Sequence, residues 1–218
     1  MAKKTLEPQQ ARSRESTRKL LKAAAEVLGQ HGVEGTTIPR IAQHAGLTPG
    51  AVYRRFPDKD ALLEAVVLGI MERQDERLRT AYSPDMVRQI PLAVFADQLV
   101  TNMLVGYRAN AGLLRALRQF SQGRFYTPFC KRVVKLEMRS IQRLVGLFMV
   151  HRNEVKHPDP QLALSFALMT LTSTLVELIL ADHDLKYWQA VIPKDDQSLK
   201  RELLRSFLSY LGVQQKPN

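Results

Sequence analysis

The chain has a single cysteine, Cys130, in 218 residues. That excludes an internal disulfide framework and fits a reducing compartment. Cys130 precedes Lys131 and Arg132, a setting in which a thiol sensor is conceivable, although a plain structural cysteine is the commoner case. The five histidines (His31, His44, His151, His157 and His183) are scattered, and no two stand four apart beside a carboxylate. HExxH, CxxC, GxSxG and a glycine-rich phosphate cradle are all missing, so no metal, cofactor or enzymatic chemistry is expected. Strand-like alternation, internal repeats and low-complexity runs are missing too. Met1 to Arg18 is polar and lacks the apolar stretch of a secretory leader, which leads to the expectation of a cytoplasmic protein. The longest apolar stretch, Leu162 to Ala181, is interrupted by Ser165, Thr170, Thr172, Ser173, Thr174 and Glu177. It reads as a buried helix of a soluble protein rather than a membrane span. Acidic residues are short as well. There are 21 Asp and Glu against 32 Lys and Arg, a formal charge of +11. The first 60 residues hold 11 basic and 6 acidic side chains, a denser excess than in the remainder, as a nucleic-acid partner requires.

What is present is concentrated in residues 36–63, TTIPRIAQHAGLTPGAVYRRFPDKDALL. Thr37 can cap a first short helix, with Pro39 in its first turn, where a missing N–H costs little. Ile38, Ile41, Ala42 and Ala45 give it one apolar face. Gly46 ends it, and Leu47 plugs the corner. Thr48 caps again, Pro49 takes the first helical position, and Val52 and Phe56 lie four apart. Pro57-Asp58 then breaks this helix and starts another. Two short helices, a tight glycine turn and a third helix in so few residues are the layout of a helix-turn-helix DNA reader. At about 100° per residue, Gly50, Tyr53 and Arg54 point away from Val52 and Phe56. Glycine is costly inside a helix, and close approach to a groove floor is a reason to keep it. Arg54 suits a guanine edge, and Tyr53 a phosphate or a thymine methyl. Arg55 and Lys59 suit phosphates.

From about Arg12 to Leu63 the chain resembles the N-terminal domain of the tetracycline-repressor (TetR) family. The resemblance rests on RKLLKAAAEVLGQHG, TTIPRIAQHAG and LTPGAVYRRFPDK, with the spacing of Gly32, Thr37, Ile41-Ala42, Ala45-Gly46, Tyr53, Phe56 and Lys59. It implies a dimer that reads a palindromic double-stranded DNA operator through an N-terminal domain and a variable C-terminal domain that binds a small effector. By matching position it implies base contacts from Thr48, Gly50, Ala51, Tyr53 and Arg54, and backbone contacts from Thr37, Arg55 and Lys59. Two positions depart from the family pattern. Arg40 stands where an acidic residue is frequent, which removes a capping box, and Pro49 stands where a lysine or polar residue is usual.

The whole chain therefore reads as all-α. A basic arm is expected over residues 1–11, flexible and able to enter a minor groove. A three-helix DNA-binding domain follows over 12–60, then a larger helical effector-binding and dimerisation domain over 61–218. A long helix from Asp58 to about Tyr82 links the last two. Further helices are suggested at about Pro91–Tyr107, Ala111–Gln122, Pro128–Arg152, Asp159–Asp182 and Ser198–Leu211. The helix around 162–180 carries two apolar stripes, where an ordinary surface helix needs one. The stripe Leu164, Leu168, Leu171, Leu175 and Leu178 is assigned to the dimer interface together with Phe207 and Leu211. Met103, Tyr107, Phe120, Phe125, Phe129, Met138, Phe166 and Met169 are assigned to an effector pocket, for an apolar or anionic effector. The basic cluster Arg115, Arg118, Arg124, Lys131, Arg132, Lys135, Arg139 and Arg143 is read as a solvated face, with attraction of an anionic effector as the other reading. The functional expectation is a transcriptional repressor released from its operator by a small molecule. The alternative is a ligand-independent architectural or nucleoid-associated DNA-binding protein.

Overall fold

A computed structural model describes residues 6–180 and 193–213, with side chains from Ser13 onward. The secondary structure of the described residues is helical throughout: α1 (Leu6–Gly35), α2 (Ile38–His44), α3 (Pro49–Tyr53), α4 (Lys59–Ala81), α5 (Pro84–Arg88), α6 (Leu92–Ala109), α7 (Ala111–Ser121), α8 (Pro128–Phe148), a 3-10 helix (Met149–Glu154), α9 (Pro160–Leu180) and α10 (Asp196–Tyr210). The all-α expectation holds. Two compact units are formed, Met1–Glu72 with Gly112–Val133 and Arg73–Ala111 with Val134–Asn218. Helices α4 and α8 each run through both.

In the first unit α1 begins at Leu6, so residues 6–11 of the expected arm are helical. Lys3 and Lys4, the charges proposed for that arm, lie outside the described residues. Gly32 takes φ 64° and breaks the helical run, a conformation that only glycine adopts cheaply. The buried Thr36 hydroxyl donates to the Gly32 carbonyl at 2.6 Å. Thr37 then accepts from the Arg40 N–H at 3.4 Å to start α2. Gly46, at φ 66°, turns the chain, and the Leu47 N–H donates to the Ala42 carbonyl at 2.8 Å. Thr48 accepts from the Ala51 N–H at 3.3 Å and starts α3. Leu20, Ala24, Val27, Ile38, Ile41, Ala42, Val52, Leu62 and Val66 close over one another as the core. Each large aliphatic side chain buried this way contributes about 1.5–3 kcal/mol. Leu117 of α7 packs on the same core. A Cβ at Gly112 would stand 2.7 Å from the Gly29 carbonyl oxygen, so the start of α7 meets the backbone of α1 with no side chain between.

The second unit is built around Phe95, Phe148 and Phe207. The first pair has ring centroids 4.6 Å apart and the second 5.4 Å. Lys200–Asp97 and Arg108–Asp196, both at 2.8 Å, tie α10 to α6. The buried Asp75 on α4 accepts from Arg143 Nε on α8 at 2.9 Å. His151 Nε2 lies 3.0 Å from the Val87 carbonyl and joins the 3-10 helix to α5.

The two stripes of α9 exchange the roles read for them in the sequence. Leu164, Leu168, Leu171 and Leu175 are buried within a single protomer, as are Phe207 and Leu211 of the closing helix segment, and Leu178 is half-buried. These side chains form the protomer's own core and cannot also face a partner. Leu162, Phe166 and Met169 form the outward stripe, 59%, 48% and 49% exposed. Periodicity defines two apolar faces but does not say which is turned inward. Helix α9 is long and apolar enough to cross a membrane, yet its Leu164–Leu175 side is packed inside protein.

Candidate nucleic-acid interface

Helix α3 is short and fixed by its own inward residues. Val52 is fully buried, and the Phe56 ring packs against the same core from the following turn. Thr48, Gly50, Tyr53 and Arg54 are exposed on the other side. Tyr53 is 53% exposed, high for a tyrosine on a helix anchored this firmly. The Tyr53 hydroxyl and the Arg54 guanidinium have no hydrogen-bond or ion-pair partner among the described residues. An aromatic donor and a planar guanidinium, held on a stub whose position is set by the core, can enter a groove with little loss of side-chain order elsewhere.

Ala51 is the exception among the five residues assigned to bases. It is 7% exposed and turned into the protein, so its methyl is not available to a base edge. Its position one residue before Val52 puts it on the flank of the buried face. The phosphate residues divide similarly. Thr37 is exposed, with its hydroxyl used as a cap. Arg55 folds back, donating from Nη1 to the Ala51 carbonyl at 2.9 Å and from Nη2 to Ser16 Oγ at 3.2 Å. Lys59 Nζ donates to the Val33 carbonyl at 3.1 Å. Both cations brace the reader helix and its neighbours, and each has to exchange a protein oxygen for a phosphate oxygen to serve as read from the sequence. Gln43, on α2, was not singled out in the sequence. It is exposed beside the turn, and its side chain makes no hydrogen bond. The signal for it was its place about 200° round the helix from buried Ile41.

Gly50 faces open space, and a Cβ there would meet nothing within 4 Å. No internal packing therefore demands glycine. Gly50→Ala is expected to raise stability by about 0.5–1 kcal/mol through helix propensity while lowering affinity for a selected duplex at least ~10-fold, if the backbone approaches DNA here. Thermal melts and a duplex titration on the same variant check the opposed signs. A variant that binds as tightly as the parent removes the close-approach argument.

The eight residues assigned to an effector pocket do not share one environment. In the first unit Phe120 and Phe129 are buried core rings with centroids 6.0 Å apart, and Phe125 is exposed in the α7–α8 turn. In the second unit Phe166 and Met169 belong to the outer face of α9. Met103 and Tyr107 on α6 are half-buried, and Met138 on α8 is exposed. Many members of the basic cluster are already engaged. Arg124 stacks over the Phe120 ring at 3.7 Å and pairs with Asp60 at 2.7 Å, and Arg139 and Arg143 share Asp75. Arg115 and Arg118 also have interactions of their own.

Residues 20–66, which contain α2, α3 and the core that holds them, match the family described as bacterial regulatory proteins, tetR family. The HTH-type transcriptional regulator TtgR of Pseudomonas putida is 33% identical over 91 residues, 39% of this chain and 43% of that protein. The chain thus matches under half the length of that relative. Across nearly the full length the fold is similar to that of a TetR-family regulator from Mesorhizobium loti. The TM-score there is 0.71, with 19% identity, 92% of this chain and 97% of the other covered. The regulator FadR of Bacillus subtilis, solved in complex with stearoyl-CoA, has a TM-score of 0.60 and 19% identity, with 88% and 98% covered. That family comprises regulators rather than enzymes. Through the sequence of its reader domain and the helical architecture that carries it, the chain belongs to the TetR family of bacterial transcriptional regulators.

Proposed function

We propose that this chain is a dimeric repressor that reads a palindromic operator through Thr48, Gly50, Tyr53 and Arg54 and is released by a small molecule held in its second unit. The observation that carries the reading is the polarity of α3, where Val52 is sunk in the core and Tyr53 and Arg54, the next two residues, are open and without partners. Thr37, Arg55 and Lys59 serve phosphates once the braces at Ser16 and Val33 are exchanged. Dimerisation runs through the outward face of α9 with Tyr210 of α10, whose ring lies 5.5 Å from that of Phe166. Two copies then place their α3 helices in successive major grooves, about 34–36 Å apart. Helix α4 starts beside the reader and ends in the second unit, which makes it the natural lever. An effector can act only by binding the operator-bound and the released geometry with different affinity. A soluble regulator of this kind works in the cytoplasm.

Selection of bound duplexes from a random pool tests the reading. A palindrome with half-sites about one helical turn apart is expected. Arg54→Ala should then cost roughly 1–3 kcal/mol at one base position and relax preference there. Binding that ignores sequence and yields no palindrome would instead favour an architectural, ligand-independent role.

A further inference from the structure

Helices α6 and α8 of the second unit run antiparallel. Phe95 meets Phe148 at one end of their contact, with centroids 4.6 Å apart. Tyr107 lies twelve residues on along α6, and Glu137 eleven residues back along α8. Both displacements are about 16–18 Å of helix, so the two residues are at the same level, roughly three turns from the phenylalanine contact. They also occupy the inward stripes. At 100° per residue Tyr107 lines up with Ala96, Val100 and Met103, and Glu137 with Ile141, Leu144 and Phe148. Ala96, Val100 and Phe148 are buried, whereas Met103, Tyr107, Ile141 and Leu144 are only half-buried. The facing stripes open towards this end and leave a recess with a carboxylate and a phenol on its walls.

Glu137 is unusual in its company. It is the only acid on α8, among Lys131, Arg132, Lys135, Arg139 and Arg143, and none of those cations pairs with it. Among the described residues of the second unit every other carboxylate has a partner: Asp75 has Arg143, Glu76 has Arg79, Asp85 has Arg88, Asp97 has Lys200, Asp196 has Arg108, Glu154 has His151, Glu202 has Arg205, Asp159 and Asp195 cap helices, and Glu177 is engaged. Glu137 makes no hydrogen bond or ion pair. Solvent still reaches it, yet burial raises its carboxyl above the usual carboxylate range. A group that is both accessible and desolvated stands in the wall of a concavity rather than on a convex surface. Burial also raises the Tyr107 phenol, and the Glu137 charge adds to this, which places the two groups within electrostatic reach of each other.

We propose that Glu137 and Tyr107 together bind the amine of an apolar, cationic effector in the recess between α6 and α8. A carboxylate with no internal partner gains a charge-assisted hydrogen bond from an ammonium group. A phenol accepts from the same group, and its ring attracts cations. The half-buried Met103, Ile141 and Leu144 suit the apolar remainder. The anionic effector class meets the opposite field here, because Glu137 repels it while Arg139 and Arg143 are committed to Asp75. This assignment rests on the proposal that the second unit binds an effector.

Three matched probes test it by calorimetric titration of the full chain near pH 7.5: 4-phenylbutylamine, 4-phenylbutanol and 4-phenylbutanoate. The amine is expected to bind at least ~10-fold tighter than the carboxylate, as one charge-assisted contact gives. Glu137→Gln should erase that preference, leave the alcohol unchanged, and melt no lower than the parent, since an unpartnered carboxylate holds nothing together. Equal or reversed order in the parent, a preference that survives Glu137→Gln, or no binding of any probe overturns the assignment. A duplex shift measured on the same preparation without probe reports on the regulatory reading separately.

Discussion

Phe166→Glu combined with Met169→Glu is expected to leave the protein folded, render it monomeric and weaken operator binding by ~100-fold or more. In the single chain both side chains are about half-exposed, so two carboxylates there remain hydrated and cost the fold little. In a dimer pressed together through this face they would be desolvated opposite their own symmetry copies, at several kcal/mol each. Loss of the dimer removes the second half-site from the same molecule, and linked sites are worth 10²–10⁴ in avidity. Sedimentation velocity reads the mass, a thermal melt reads the fold, and titration of a selected palindrome reads the affinity. The control is Leu164→Glu. Leu164 is fully buried, so that variant should fail to fold instead of dissociating. A Phe166 and Met169 variant that remains dimeric with full affinity would place the subunit contact elsewhere.

The α9 stripes also show where sequence reading stops. An apolar residue every three or four positions defines a face, and two such faces half a turn apart define a helix covered on both sides. Nothing in the spacing says whether Leu164 or Phe166 meets the chain's own α10. That depends on residues 45 positions away, and the leucines won because they interleave with Leu203 and Phe207 in a tight aliphatic layer. The pocket suffered from the same blindness. Phe120, Phe129, Phe166 and Met169 were grouped by chemistry, but chemistry does not report that the first pair is core and the second an outer face. The contiguous division near residue 60 likewise omitted 112–133, because Leu117 and Gly112 join the first unit through long-range packing that no local pattern announces.

The reader segment was legible for the opposite reason. Its interactions are local: Thr37 to Arg40, Thr48 to Ala51, Leu47 to Ala42 and Asp58 to Ala61. Each spans three to five residues, so residue type and spacing alone specify it. Gly32 and Gly46 stand where φ is positive, again a local demand. What spacing missed was the second partner of each cation. Arg55 finds Ser16, 39 positions earlier, and Lys59 finds Val33, 26 earlier. The two basic residues thus hold the domain together before they touch any DNA, and a purely local reading credits them with the second role alone.

Val52→Asp should abolish DNA binding by unfolding the first unit, whereas Tyr53→Ala should abolish much of it with the fold intact. Val52 has no exposed surface and lies among Leu20, Ala24, Ile41 and Leu62. No buried polar side chain of that core is free to pair with a carboxylate, so an aspartate there either stays charged at a large desolvation cost or takes up a proton and still lacks a partner. Adding the lost aliphatic contact, the expected penalty is at least ~4 kcal/mol, comparable with the whole stability of a small domain. Circular dichroism should then show lost helix and a lowered melting temperature. At Tyr53 the ring is mostly solvated, so truncation costs the fold within about 0.5 kcal/mol, and the duplex titration alone should change. Equal melting temperatures for the two variants would mean that α3 is not anchored through Val52. Without that anchor Tyr53 and Arg54 have no fixed direction, and a side chain without a fixed direction cannot hold one register on a duplex.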